Sequence, residues 1–374
     1  MDCPHIPLIP YHKFSKRIHD KTIAERIPIA GTIELTFRCN LKCAHCYVAY
    51  DPKKKEMSYK QICHILDEIT DAGCFWLLIT GGELLLRNDF LDIYTYAKKK
   101  GLIITLFTNG TLITPEVADY LKEWPPFAID ITLYGITKET YERVTGVAGS
   151  FERCMKGIHL LRERKIPLRL KTMVMTLNQH ELWDIKKYVE GLGVQFTFDS
   201  VLNPKIDGSK EPCELRISPE EVVKLDLADE KRLKEWKEFC QECWGPAKSD
   251  RLYICGAGHT SFHIDPYGEL SICSMSRNPS YNLGQGSFQD GWYDFVPKIR
   301  QQKPKTDYKC AKCELISLCG QCPGWAKLEN NNPEASIEYL CQIAHLRAKA
   351  FGPKEKSQTE RQDNYINKEV IKSG

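Results

Sequence analysis

A period of two constrains this fold most strongly. Between Gly31 and about Pro204 six β-rich runs occur: Thr32–Phe37, Cys74–Thr80, Leu102–Thr108, Phe127–Leu133, Leu168–Met175 and Val194–Ser200. Amphipathic stretches near 58–72, 88–100, 114–123, 137–164 and 179–190 separate them. Strands joined through helices pair in parallel. In four of the runs the polar residues share one parity. Glu34, Thr36 and Arg38 alternate with Ile33, Leu35 and Phe37, and Asp130 and Thr132 with Ile129, Ile131 and Leu133. Arg169 and Lys171 oppose Leu168 and Leu170, as Gln195, Thr197 and Asp199 oppose Val194, Phe196 and Phe198. Successive side chains of a strand point to opposite faces, so one face is polar. A closed eight-stranded barrel fills its centre with branched apolar side chains. Six strands with a polar inner face therefore predict an α/β fold, a partial (β/α)6 TIM-like barrel whose hollow takes a polar ligand.

Cysteine is the second constraint, at 17 of 374 residues. Pro4, Pro7 and Pro10 break the N-terminus, which has no apolar core of a signal peptide, so a cytoplasmic location is expected. In a reducing compartment metal binding or catalysis explains cysteine better than disulfides do, and the odd count agrees. A net charge of +3 makes no case for nucleic acid, and no apolar run approaches the roughly 20 residues that span a bilayer.

Cys39, Cys43 and Cys46 form a C-x3-C-x2-C run directly after the first β-run. That is the C-terminal mouth of such a barrel, where the βα loops build active sites. Three thiolates hold three corners of a [4Fe–4S] cube and leave one iron open, whereas structural zinc prefers four closed ligands. Thr80-Gly81-Gly82-Glu83 follows the second run.

Together these motifs resemble the radical S-adenosylmethionine superfamily. The resemblance implies that the open iron is chelated by the amino and carboxylate groups of S-adenosylmethionine. It places Gly81, Gly82 and Glu83 along the methionine amino group, although the position after Glu83, often proline in the family, is Leu84. Asn109, within Thr108-Asn109-Gly110, and Asp130 match cofactor-lining positions more loosely. Arg169 or Lys171 is the candidate for the cofactor carboxylate, and Asp199 or Ser200 for the ribose.

Downstream come Cys255, Gly268-x4-Cys273, Cys310-x2-Cys313-x5-Cys319-x2-Cys322 and Cys341. This pattern resembles the SPASM extension, which carries two auxiliary [4Fe–4S] clusters; the spacing before Cys322 is one residue short of the usual. By the family's ligation Cys310, Cys313, Cys319 and Cys341 hold the distal cluster, and Cys255, Cys273 and Cys322 the nearer. For the nearer cluster, either Cys240 or Cys243 completes the cube or one iron is open, the open site being favoured. Some relatives have a cysteine where this chain has Ser261, and His259 is a weaker candidate ligand. Cys3, Cys63, Cys74, Cys154 and Cys213 are expected as free thiols. The expected layout is an N-terminal extension (1–30), the barrel (31–204), a charged helical bridge (205–250), the cysteine-rich SPASM domain (251–345) and a polar, disordered tail (346–374).

The resemblance implies an enzyme of the peptide-maturase type, making a thioether or another side-chain crosslink or oxidation in a ribosomally synthesised peptide. Only about 30 residues precede the barrel, too few for a fused recognition domain, so a separate leader-binding protein is a candidate partner. An external low-potential electron donor of the flavodoxin or ferredoxin type is implied as well. Three alternatives remain: a sulfatase-maturing oxidation of Cys or Ser, porphyrin side-chain modification, and a zinc-binding scaffold without catalysis. Relatives of the first kind carry an aspartate directly after the Gly-x4-Cys cysteine, where this chain has Ser274.

Overall fold

In the computed structural model, which describes residues 11–247 and 249–352, the six expected strands are present. They are β1 (Ala30–Glu34), β2 (Trp76–Thr80), β3 (Ile103–Thr108), β4 (Ala128–Thr132), β5 (Leu168–Met173) and β6 (Gln195–Asp199). All pair in parallel in chain order, with Ile33 beside Ile79, Leu106 beside Ile129 and Lys171 beside Thr132. Outward-facing Ile33, Leu77, Ile79, Ile104, Leu106, Ile129 and Ile131 are buried. They form the core with the apolar stripes of the covering helices, such as Ile62, Ile65, Leu66 and Ile69 of helix Tyr59–Asp71. Ser58 and Gln61 start that helix with a reciprocal capping box, and Thr114 with Pro115 starts the helix Pro115–Glu123.

The sheet does not end at β1. β7 (Ser261–Ile264) pairs in parallel with β1, and β8 (Glu269–Ser271) and β9 (Tyr281–Asn282) follow antiparallel. Gly31 makes room for this addition, since a Cβ there would sit 2.2 Å from the Phe262 ring. The stretch after 251 thus continues the sheet of the barrel through β7. The chain groups into two units, and the cysteine-rich stretch expected as one domain is divided between them. The first holds the described residues up to Ile217, with Arg251–Pro304 and Cys322–Ala335; the second holds Ser218–Asp250, Lys305–Gln321 and the described residues from Ser336.

Two further expectations are corrected. The helical stretch at 137–164 is two helices, Lys138–Thr145 and Ser150–Glu163, because Gly146 and Gly149 adopt left-handed conformations (φ +67° and +71°). The polar tail does not begin at 346: the helix Glu338–Phe351 continues through it, anchored by buried Arg347 and Phe351. Cys3 and the rest of the expected tail lie outside the described residues. Within the second unit, Asp226 is fully buried and accepts from Arg232 Nε and Arg347 Nε, each at 2.9 Å. Arg347 lies 4.0 Å over the Trp236 ring, which stacks on Phe351.

Candidate functional site

A cavity of about 850 Å³ opens at the C-terminal ends of β1 to β6. Thr80, Thr108, Thr132, Met173 and Asp199, the last residues of β2 to β6, rim it, and Cys39, Cys43 and Cys46 line it together. Of the inner-face residues picked out by the period of two, Glu34, Asp130, Thr132, Lys171, Thr197 and Asp199 line this space, whereas Thr36, Arg38, Arg169 and Gln195 do not.

The helix Lys138–Thr145 holds the cysteine loop. Its orphan carbonyls at Thr145 and Val144 accept from Lys42 N (2.8 Å) and Ala44 N (2.9 Å), the two residues that flank Cys43. A Cβ on Gly146 would stand 2.9 Å from Lys42 O, so glycine there permits the approach. All three thiols are free. Burial, then mutual repulsion, raises the Cys43 thiol to about 12, and burial raises Cys39 and Cys46 also. Such thiols are inert by themselves; coordination to a metal is what makes thiolates of them.

The segment after β2 is fitted against the chain that enters this loop. Gly82 N donates to Thr36 O (2.7 Å) and Glu83 N to Arg38 O (2.9 Å). A Cβ on Gly81, at φ +142°, would meet Thr36 O at 2.3 Å, and one on Gly82 would meet Arg38 O at 2.2 Å. Both glycines line the cavity, while the fully buried Glu83 sits behind them. Its carboxylate accepts from Thr108 Oγ1 (2.8 and 2.9 Å), Asn109 N (2.8 Å) and Leu85 N (3.2 Å). Burial raises its pKa against the pull of those donors. Glu83 is thus placed as the brace between the strap and β3, and the backbone of Gly81 and Gly82 forms the adjoining cavity surface.

Asn109 reaches Asn40 Oδ1 (2.9 Å) and, at 3.7 Å, the Cys39 sulfur. Asp130 lines the cavity and holds Arg169 Nε at 2.6 Å, which leaves Lys171 as the candidate cation facing inward. Its Nζ sits 3.1 Å from the Phe107 ring centre, and burial lowers its pKa to about 8, with Asp130 opposing. Asp199 lines the wall and accepts from Val201 N (3.0 Å).

One constellation has no local signal in the sequence. Glu34, wholly buried on β1, accepts from Tyr47 Oη (2.9 Å) and from both terminal nitrogens of Arg277 (2.6 and 3.0 Å), and His263 Nε2 lies 3.1 Å away. Burial alone would raise its pKa; His263 and Arg277 overcome that and lower it to about 2. His263 Nδ1 continues to Ser271 Oγ (3.1 Å), which donates to Cys273 O (3.2 Å). Only the alternation of polar residues on β1 singled out Glu34, because His263 and Arg277 are 229 and 243 residues distant.

The downstream cysteines fall into two sets. Cys255, Cys273 and Cys322 belong to the first unit; burial raises the Cys273 and Cys322 thiols, and each also feels the charge of Cys255. Cys310, Cys313, Cys319 and Cys341 belong to the second, where burial raises Cys310, Cys319 and Cys341 with mutual repulsion adding to it. Cys240, buried, and Cys243, exposed, are also in the second unit; Ser261 lies on β7. Among the described residues no three His, Cys, Asp or Glu side chains converge as ligands of a single ion. A cube draws one thiolate to each corner iron. Three grouped free thiols beside a glycine cradle fit a [4Fe–4S] cluster with a small polar ligand against it. No helix is long and apolar enough to cross a membrane among the described residues.

The Radical SAM superfamily model matches residues 33–190. The antilisterial bacteriocin subtilosin biosynthesis protein AlbA of Bacillus subtilis is 30% identical over 307 residues, 79% of this chain and 67% of that protein. An AdoMet-dependent heme synthase of Methanosarcina barkeri is 34% identical over 316 residues, 77% of this chain and 89% of that protein. Among solved structures, Streptococcus suis SuiB bound to its precursor peptide SuiA superposes with a TM-score of 0.68 at 18% identity, covering 91% of this chain and 83% of that one.

Proposed function

This chain belongs to the radical SAM superfamily, and from that premise we infer that it is a peptide maturase acting on a ribosomally made precursor. Its cofactors are a [4Fe–4S] cluster and S-adenosylmethionine, which together supply a 5′-deoxyadenosyl radical through one-electron cleavage of a sulfonium carbon–sulfur bond. Cys39, Cys43 and Cys46 would hold the cluster. The backbone of Gly81 and Gly82, with Asn109, Asp130, Lys171 and Asp199, would orient the cofactor, and Glu83 would brace that wall. The barrel shields the reacting groups from water. Two auxiliary clusters, on Cys255, Cys273 and Cys322 and on Cys310, Cys313, Cys319 and Cys341, would take up an electron or anchor substrate.

The observation that carries this reading is the shared cavity: Ser274 and Met275, directly after Cys273, line the same space as the first three cysteines. A substrate there is within reach of both metal sites. The names of AlbA and of SuiB with its precursor supply the substrate class. A separate leader-binding protein, a flavodoxin- or ferredoxin-type donor and a cytoplasmic location belong to the same reading.

Anaerobic enzyme given dithionite and S-adenosylmethionine should release 5′-deoxyadenosine, and the Cys39/Cys43/Cys46→Ala variant should not. Its iron should fall from about 12 to about 8 per chain, as loss of one cube of three requires. A mass change on a precursor peptide encoded beside the gene identifies the substrate class; no change on any neighbouring peptide counts against it. The identity to the heme synthase favours a second reading, modification of a porphyrin side chain. Titration with an iron porphyrin, followed by absorbance, separates the two.

A further inference from the structure

Away from the main cavity, on the Cys255 side of the first unit, cationic groups gather without a carboxylate partner. Arg300, the last residue of the helix Val296–Arg300, donates through Nη2 to His259 Nε2 at 2.6 Å. A guanidinium only donates, so that ring nitrogen accepts and His259 is the neutral Nδ1–H tautomer. The other Arg300 donors, Nε and Nη1, are buried and unpartnered, as is Nε of Arg26. Arg26 is fixed in place: its Nη2 donates to Trp292 O at 3.2 Å, and Trp292 Nε1 returns a bond of 2.5 Å to Arg26 O. Arg26 and Arg300 repel each other, whereas the Cys255 side chain attracts Arg300 and hydrogen-bonds with it.

Buried donors without acceptors, on like-charged side chains, are costly and mark the place of a missing anion. An iron–sulfur cluster ligated by thiolates is such an anion, and hydrogen bonds to its sulfurs and nearby charge set its potential. We propose that Arg300, held by His259 and backed by Arg26, is the counter-charge of the cluster on Cys255, Cys273 and Cys322, donating through Nε and Nη1 to its sulfur atoms and holding its reduction potential up. This rests on the assignment of those three cysteines as ligands. Arg300 is a positioning residue in this role, not a catalytic one, and the favoured open iron of this cluster would stay free for substrate.

The test uses the full chain with Cys39, Cys43 and Cys46 all changed to alanine, leaving only the auxiliary clusters. Iron is counted and EPR-monitored redox titrations are run on that background alone and with Arg300→Gln, Arg300→Lys or Cys255→Ala. Cys255→Ala should abolish one auxiliary signal; if it loses neither iron nor signal, the ligand assignment itself is wrong. Arg300→Gln should keep its iron while that same signal titrates at a lower potential, and Arg300→Lys should restore most of the shift. Retained iron with an unmoved potential in Arg300→Gln overturns the proposal. Loss of the cluster from Arg300→Gln but not from Arg300→Lys supports it, whereas equal loss from both points to packing and overturns it.

Discussion

Lys171 shows how one side chain's surroundings can set a measurable pH dependence. Its ammonium is pressed onto Phe107 inside the cavity, and burial lowers its pKa to about 8. A cofactor carboxylate would favour the charged form, so affinity for S-adenosylmethionine should be greatest below pH 8 and fall as pH rises through it. Calorimetric titration across pH 7–10 checks this. Lys171→Met should bind about tenfold to a hundredfold more weakly at pH 7, the worth of one charge-assisted hydrogen bond, and lose the dependence. A wild-type profile that stays flat through pH 9 would remove Lys171 from the cofactor site. The choice between Arg169 and Lys171 could not be made from the strand pattern, which puts both on one face. Asp130 engages Arg169 across β4 and β5, which leaves Lys171 as the candidate facing the cavity. Glu83 is a similar case: the Gly81-Gly82-Glu83 motif was legible, but the inward turn of its carboxylate onto Thr108 depends on β3 lying alongside.

At the scale of elements, β7 extends the barrel sheet past β1, and the Glu34–Arg277–His263 cluster fastens the segment around Cys273 to it. Removing one partner of a buried pair leaves the other charge uncompensated, so Glu34→Gln should cost about 3–5 kcal/mol in denaturant unfolding. Glu34 has a folded pKa below its unfolded one. Its stabilisation is therefore complete above about pH 4.5 and is lost as pH falls towards 2. Unfolding midpoints measured from pH 6 down to 2 should drop in wild type, and drop less steeply in Glu34→Gln. Parallel profiles for the two proteins would mean that the cluster contributes nothing through its charge. β7 is only four residues long, Ser-Phe-His-Ile, too short for a periodicity to be read from the sequence. Pairing with β1 gives its backbone the partners that its own length cannot.

At the scale of the whole molecule, the two units differ in what holds them. The first has a nine-stranded sheet with a buried aliphatic and aromatic core. The second has short helices around Asp226, Arg347 and Trp236, and four of the downstream cysteines. A small core of that kind depends on staples. Chelating the iron should raise amide exchange in Lys305–Gln321 and Glu338–Phe351 by about tenfold or more, while the β2 to β5 amides change little. Hydrogen exchange with mass spectrometry on iron-loaded and iron-free protein measures it; equal protection in both states would show that this unit stands without metal.

Local chemistry was enough to read six parallel strands, the polar inner face, the thiol triad and the glycine pair after β2. A period of two, a C-x3-C-x2-C spacing and two adjacent glycines are properties of a few consecutive residues. Tertiary structure alone decided that β7 continues the sheet, that the cysteine-rich stretch divides between two units, and that Glu34, His263 and Arg277 meet. It also brought Arg26, His259 and Arg300 together without an anion. Each of these depends on burying charges and strand edges against segments hundreds of residues away, and desolvation leaves no mark on the neighbouring sequence.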